Sequence, residues 1–200
     1  MTGKDKIKNA PISVQIDLKK GLMSPYTVRD QRFVSNLLAL FYDQAAGSAL
    51  IEQGNPLVYE IYHHAFLTDR SDMALGMSII AAGKVGKEYF MTKGHVHERD
   101  DQAELYHCVQ GEGLLLMDDL GEDFVAMPFN QGTVIHIPPQ YAHRVVNTGS
   151  EALIFVSSFH VSAGHSYYQV QERGFAKIVV EENGKPTLLA NPRRLEKSNE

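Results

Sequence analysis

Two histidines separated by one residue, His95 and His97, are the side chains in this sequence best suited to bind a metal ion. Residues i and i+2 of a β-strand face the same side, so both imidazoles can reach one ion. Glu104 follows a polar stretch, residues 98–103, that can turn the chain and bring the carboxylate back beside them. His143 is a fourth candidate ligand on a later predicted strand.

Three imidazoles and one carboxylate suit Fe²⁺, Mn²⁺, Ni²⁺ or Zn²⁺, whereas Mg²⁺ and Ca²⁺ prefer oxygen ligands. We therefore expect one divalent transition metal per subunit, with Fe²⁺ as the first candidate and Zn²⁺, Mn²⁺ and Ni²⁺ as alternatives. A single His-x-His pair in a β protein is more often a surface or hydrogen-bonding feature. Glu104 and His143, at their spacing, are what favour a metal site.

The candidate ligands lie in a region with the pattern of an all-β domain. Short apolar runs alternate with glycine and proline turns after residue 55, a pattern typical of a sandwich or barrel. Asn183-Gly184 is a preferred pair for a tight hairpin turn. We predict strands over residues 57–62, 73–81, 87–92, 104–109, 114–117, 124–127, 133–137, 143–147, 153–159, 177–181 and 187–189.

The ends of the chain have a different pattern. Apolar and polar residues alternate over 12–18, which predicts a strand with one buried face. Four apolar residues then recur at helical spacing and predict a helix over residues 29–43, resuming at 48–52: Phe33, Leu37, Leu40 and Phe41. The polar residues 1–10 and the charged residues 191–200 are predicted to be loose tails.

Composition excludes several classes of protein. A net charge of −5 provides no basic field for nucleic acid or an anionic membrane. The only cysteine, Cys108, allows no intramolecular disulfide, and it shares the predicted inward parity of Glu104. The charged N-terminus has no apolar signal region, and no apolar run approaches the ~20 residues that span a bilayer. We expect a cytoplasmic protein.

The spacing of these residues resembles the two motifs of the cupin superfamily. Two positions depart from the motifs, with Tyr89 and Gln140 where glycines are usual, and six residues separate His97 from Glu104, more than the common spacing. The matching positions are His95, His97, Glu104 and Gly111, then Gly132, Pro138, His143 and Asn147. The resemblance implies a jelly-roll-like antiparallel β-barrel. The chain would consist of an N-terminal arm and helix packed on the barrel (1–54), a cupin domain (55–193) and a C-terminal tail (194–200).

The six-residue gap between His97 and Glu104 is itself informative. Residues 92–113, which begin Thr-Lys-Gly-His, resemble the signature of the cupin-type glucose-6-phosphate isomerase family, and the resemblance extends over about residues 75–193. It implies a metal-dependent enzyme that interconverts glucose 6-phosphate and fructose 6-phosphate in glycolysis and gluconeogenesis. A cis-enediol intermediate and a homodimer are implied as well.

The resemblance also implies roles for individual residues. Glu104 would be both a metal ligand and the catalytic base, although metal coordination lowers a carboxylate's basicity, so a role as ligand alone stays open. His165 would help to open the sugar ring or carry protons. Phe159 replaces a tyrosine that often contacts phosphate in the family, which predicts a less well supplied phosphate site. The metal ligands would be His95, His97, Glu104 and His143, and the substrate-binding residues Thr92, Gly94, Tyr106 and Tyr167.

Two other functions remain open from the sequence. A cupin dioxygenase or other oxidoreductase would use the same four ligands with iron or copper, and only residues 92–94 and 163–167 favour the isomerase over it. A non-catalytic sugar-binding cupin is disfavoured by the intact ligand positions. Outside these motifs, His63 and His64 are predicted at the exposed end of a strand, and Lys93 is predicted to be a solvated charge.

Overall fold

The computed structural model describes residues 12–66 and 73–197, and within this part of the chain every paired strand is antiparallel. The strands are β1 (Gln15–Asp17), β2 (Leu22–Ser24), β3 (Val28–Phe33), β4 (Leu57–Phe66), β5 (Met73–Ile80), β6 (Lys84–Val85), β7 (Glu88–Tyr89), β8 (Glu104–Gln110), β9 (Gly113–Asp118), β10 (Phe124–Pro128), β11 (Val134–Ile137), β12 (Ala142–Asn147), β13 (Leu153–His160), β14 (Lys177–Glu182) and β15 (Lys185–Ala190). The helices are α1 (Val34–Leu37), α2 (Gln44–Glu52), α3 (Tyr168–Arg173) and α4 (Pro192–Lys197), with 3-10 turns at Leu38–Leu40 and Val161–Ala163.

Two sheets enclose the core of the barrel. One has six strands in the order β11-β8-β13-β5-β4-β3, and the other has three in the order β10-β9-β12. Tyr106 and Phe155 from the larger sheet share one buried cluster with Leu115 and Val145 from the smaller one. The predicted all-β antiparallel barrel is confirmed.

Strand β8 has the alternation that the sequence predicts. Glu104, Tyr106 and Cys108 are buried, whereas Leu105 and His107 are exposed on the other face, because successive side chains of a strand point to opposite sides. The inward faces of β8, of its neighbour β13 and of the next strand, β5, therefore form one wall of the interior.

A smaller four-stranded sheet, β15-β14-β7-β6, lies beside the barrel. Its β14–β15 hairpin turns at Asn183 and Gly184, with φ of 52° and 74°. Two successive positive φ angles are what a type I′ turn needs, and Asn-Gly satisfies them at little cost. The predicted hairpin is confirmed.

The predicted helix over residues 29–43 is wrong for its first part. Residues 29–33 belong to β3, which pairs with β4 and forms the edge of the six-stranded sheet. Only Val34–Leu37 and the following 3-10 turn are helical, and α2 begins at Gln44, where the Asp43 carboxylate accepts a hydrogen bond from Ala46 N–H at 2.9 Å. The backbone partners of β3 are distant in sequence, so its pairing overrides the local helical spacing.

The region after residue 190 is more ordered than the predicted loose tail. Asn191 is buried, and its side-chain amide donates to the Phe175 carbonyl at 2.8 Å. Helix α4 follows, and Arg194 forms an ion pair with Asp118 at 2.8 Å. The predicted tail over 1–10 and residues 198–200 lie outside the described residues, and the division at residue 54 stays a prediction.

None of the helices in residues 12–66 and 73–197 has both the length and the apolar character needed to cross a membrane.

Candidate active site

Four of the predicted residues converge inside the barrel. Glu104 Oε2 lies 3.1 Å from His143 Nε2, 3.3 Å from His97 Nε2 and 3.9 Å from His95 Nε2. The ligand atoms of the four residues all lie within 4.8 Å of one another. Three of the side chains are buried and that of His95 is nearly so. The structure therefore brings together the whole predicted ligand set.

These side chains come from three places in the barrel. Glu104 begins β8 and His143 lies in β12, on the opposite sheet. His95 and His97 lie in an irregular segment rather than the expected regular strand, but His95 exchanges both backbone hydrogen bonds with His143, at 2.9 and 3.3 Å. This bridge fixes the irregular segment across the barrel mouth.

Backbone carbonyls set the tautomers of two histidines. His97 Nδ1 donates to the Gln102 carbonyl at 2.8 Å, and His143 Nδ1 donates to the Tyr141 carbonyl at 3.1 Å. A neutral ring with its proton on Nδ1 presents the Nε2 lone pair to the centre, which is the usual arrangement of metal-binding histidines. These lone pairs and the Glu104 carboxylate repel one another unless a cation lies among them.

The third imidazole also fits a cation. His95 Nε2 is buried and has no hydrogen-bond partner among the described residues, a state that buried polar atoms rarely tolerate. Burial, and then the neighbouring histidines, lower the pKa of His95 well below its usual value, so the ring stays neutral and able to ligate. The four residues thus fit a divalent transition metal in ligand type and orientation.

Glu104 is ionised despite its burial. Burial opposes the charged form. When no cation is bound and Nε2 of His143 and His97 carries a proton, hydrogen bonds from these rings outweigh burial and lower the pKa of the carboxyl to about 2. A permanent carboxylate at this place suits a ligand. It also means that Glu104 is a weak base unless its surroundings change on substrate binding.

A pocket opens directly beside this cluster. Its lining includes all of the predicted substrate-binding residues, together with His165 and Phe159. The predicted members are Thr92, Gly94, Tyr106 and Tyr167. The segment at 92–94 forms a tight turn, since Gly94 has a φ of 77°. A Cβ on Gly94 would lie 2.9 Å from the Phe175 ring and 3.2 Å from the His143 carbonyl oxygen, so the turn has room for glycine alone.

The aromatic residues of the pocket pack around His95. The His165 ring lies with its centroid 4.3 Å from that of His95, and the Tyr167 ring stacks on His165 at 6.5 Å. Burial lowers the pKa of His165 to about 4, so at neutral pH this ring is uncharged and can both donate and accept a proton. Tyr106 is fully buried against His143, with centroids 5.5 Å apart.

Lys93 is not the solvated charge that the sequence predicts. Its ammonium lies 4.2 Å from the centroid of the Tyr167 ring, in the range of a cation–π contact, and the residue lines the pocket. Its backbone is held as well, because the Arg144 guanidinium donates to the Lys93 carbonyl at 2.7 Å.

Besides Lys93, sequence reasoning missed four polar residues that line the pocket: Tyr59, His63, Ser78 and Ser157. The prediction that His63 and His64 sit at an exposed strand end is wrong, because β4 continues to Phe66 and pairs along its length with β5. A signal was present, since Tyr59 and His63 share one face of a strand by period two.

Comparisons with known proteins show the family to which the chain belongs. A family model described as glucose-6-phosphate isomerase (GPI) matches residues 31–193. The chain is 39% identical over 183 residues to the glucose-6-phosphate isomerase of Thermococcus kodakarensis, covering 92% of this chain and 96% of that one. It is 38% identical over 183 residues to that of Pyrococcus abyssi, with the same coverage.

Among solved structures, the chain is similar to an oxalate decarboxylase of Lactobacillus farciminis at 21% identity. The match has a TM-score of 0.45 and covers 55% of this chain and 30% of the other. A likeness of this size has no bearing on activity.

An antiparallel barrel whose interior holds three histidines and one glutamate at these spacings is a cupin. Within that class, the chain belongs to the glucose-6-phosphate isomerase family. The prediction of an enzyme of the aldose–ketose isomerase class is confirmed by this membership.

Proposed function

We propose that this protein interconverts glucose 6-phosphate and fructose 6-phosphate with a divalent transition metal held by His95, His97, Glu104 and His143. The observation that carries the proposal is the convergence of these four ligands beside a pocket lined by Thr92 and Gly94, in a chain of this family. Such a metal, when bound, acts as a Lewis acid on the oxygens at C1 and C2 of the open-chain sugar.

Glu104 is the proposed base that moves a proton between C2 and C1. Its carboxylate is the acidic group of the pocket and is held among three imidazoles. Its low pKa weakens it as a base, and proximity to the reacting carbons would have to offset this. The alternative, that Glu104 is a ligand only, makes a hydride shift the preferred route.

His165 is the proposed proton carrier for ring opening. Its buried, uncharged ring lies beside His95 and can donate from one nitrogen while it accepts at the other. Tyr106 and Tyr167 complete the walls around the sugar.

Thr92 and Gly94 are the proposed phosphate-binding residues. Val145 N–H donates to Thr92 Oγ1 at 3.1 Å, which orients the hydroxyl and leaves its own proton able to donate to a phosphoryl oxygen. The positive φ of Gly94 turns the chain sharply, and the missing side chain lets this turn pack against Phe175 and the His143 carbonyl. The backbone N–H of Gly94 is the proposed donor to the phosphoryl group.

The test is a coupled assay with fructose 6-phosphate, run after EDTA treatment and after re-addition of single metals. We expect activity to disappear with the metal and to return, most strongly with Fe²⁺. Protein that binds its metal but isomerises no sugar phosphate would contradict the proposal. Oxygen consumption by such a sample would indicate the oxidoreductase instead.

The intermediate is tested in D₂O. A cis-enediol route exchanges the migrating proton with solvent, so the product should contain deuterium at the reacting carbon. A product without deuterium would indicate a hydride shift.

A homodimer, a cytoplasmic location and a place in glycolysis and gluconeogenesis also stay predictions. Light scattering at micromolar concentration tests the first, and a monomer there would contradict it.

A further inference from the structure

His63 lines the pocket and belongs to one row of paired residues across the six-stranded sheet. It pairs with Gly76, Gly76 pairs with Ser157, and Ser157 pairs with Tyr106. Neighbouring strands lie about 4.8 Å apart, so Tyr106 and His63 are separated by about 14 Å along the sheet. Two small residues, Gly76 and Ser157, lie between them and leave space above the sheet.

Gly76 is required by this arrangement. A Cβ built on it would lie 2.4 Å from Ser157 Oγ and 3.4 Å from Cδ2 of the His63 ring. A larger residue would force the serine hydroxyl or the imidazole out of place. The absence of a side chain at Gly76 therefore lets Ser157 and His63 lie close together at the pocket floor.

The His63 ring is the outermost of three imidazoles that lead away from the metal ligands. His165 lies 4.3 Å from His95 between ring centroids, and His63 stacks on His165 at 6.0 Å with an interplanar angle of 26°. The other side of His63 meets the edge of Phe159 at 5.7 Å. Phe159 has no polar atom on its ring, whereas two of its neighbours, His63 and His165, can donate a hydrogen bond there.

The charges around His63 suit a neutral donor. Burial lowers the pKa of His63, against the opposing charges of Glu104 and Asp30. Asp30 is itself in an ion pair with Arg32 at 2.5 Å. An uncharged imidazole keeps one N–H, and a hydrogen bond from it to an anionic oxygen is of the strong, charge-assisted kind.

We propose that His63 is a substrate-binding residue that donates a hydrogen bond to the phosphoryl group of the sugar phosphate. The inference rests on the proposed function, which places C1 and C2 beside Glu104. The phosphate is carried on C6, at the far end of the same chain. His63 lies in β4, three strands from Glu104 across the sheet, and lines the same pocket. Of the two imidazoles beside Phe159, it is the one further from the metal ligands, so we place it at that end.

The experiment measures the Kd of fructose 6-phosphate by calorimetry and the competitive inhibition constant of inorganic phosphate, on metal-loaded protein. For His63→Ala we expect both constants and the KM to rise about ten- to a hundredfold, the contribution of a hydrogen bond to a charged group. The kcat should change by less than about threefold, because the contact is the same in ground and transition states. His63→Gln, which keeps an N–H donor, should recover part of the loss.

The matched control is His64→Ala, which removes the same atoms from the opposite face of β4, where His64 packs on Phe66 at 4.8 Å. It should leave both binding constants unchanged. Wild-type phosphate inhibition in folded His63→Ala would overturn the inference, as would a raised KM without a change in phosphate inhibition. A wild type that binds fructose 6-phosphate without isomerising it would instead overturn the proposed function.

Discussion

Two buried glutamates, one in the barrel interior and one in the four-stranded sheet, have carboxyl pKa values shifted in opposite directions. Glu104 and Glu88 are each 3% exposed. The pKa of Glu104 is lowered to about 2, because hydrogen bonds from His143 and His97, when their Nε2 atoms carry a proton, outweigh the effect of burial. The pKa of Glu88 is raised to about 7 by burial, against a hydrogen bond from Tyr42 N–H and the charge of Arg144.

The two pKa values differ because the carboxyl groups have different partners, since their burial is the same. Glu104 Oε2 faces three ring nitrogens within 3.9 Å, whereas Glu88 Oε1 is buried and has no hydrogen-bond partner in the part of the chain that the structure describes. A buried carboxylate surrounded by several nitrogen atoms is typical of a metal-binding or catalytic site. A buried carboxyl with an unpaired oxygen is a structural group that favours its neutral form.

The largest effect is expected for Glu104→Gln. The amide keeps the size of the side chain and one acceptor oxygen but is a poor base, and loss of an essential base commonly lowers the rate by about 10²–10⁴. Turnover per bound metal is the measurement, with metal content determined on the same sample. If the variant holds its metal and turns over at the wild-type rate, the base assignment fails.

An intermediate effect is expected for Gly94→Ala. Its φ of 77° and the 2.9 Å approach to Phe175 mean that a methyl group must displace the turn at 92–94. We expect the KM for fructose 6-phosphate to rise by at least about tenfold, since a displaced hydrogen bond to an anion costs about that much.

Gly184→Ala is the matched control, in the four-stranded sheet. Its φ of 74° is nearly the same, but nothing lies within 4 Å of the new Cβ. It should lower the free energy of unfolding by about 1–2 kcal/mol, the cost of a left-handed residue with a side chain, and leave the KM unchanged. Equal changes in KM for the two variants would contradict a phosphate-binding turn at Gly94.

The smallest effect on turnover is expected for Glu88→Gln, which acts on stability alone. A carboxyl whose pKa is raised from 4.5 to about 7 stabilises the fold fully below pH 4.5 and loses that contribution as the pH rises through 7. The loss is on the order of 3 kcal/mol. Urea unfolding between pH 4.5 and 8 should show a shallower decline in the variant, with unchanged activity. A wild-type slope in Glu88→Gln would show that another group titrates.

The candidate site could be predicted from sequence because its signals are local or regularly spaced. His95 and His97 are two residues apart, and Glu104 and Tyr106 share a face of β8. The parity of β8 also predicted that Cys108 is buried, as it is. The contact of Glu104 with His143, 39 positions further along the chain, has no local signal, and the family resemblance is what supported it.

The two incorrect predictions, for residues 29–33 and for His63, have a common physical cause. Residues 29–33 form a strand only because β4 supplies their hydrogen-bond partners, and that pairing is decided across the sheet rather than along the chain. His63 was assigned to an exposed end because the apolar run stops before it, although the backbone pairing of β4 continues to Phe66. A polar residue in a buried strand is the pattern expected where a pocket opens.

Cys108 gives the active-site strand a built-in chemical probe. Its thiol is fully buried in β8, four residues after Glu104, and burial raises its pKa to about 11. The exposed thiolate is the form of cysteine that reacts with alkylating reagents. The folded protein should therefore react only when β8 separates from its neighbours. Since this is the only thiol in the chain, the labelling rate under native conditions measures the free energy of opening that one strand.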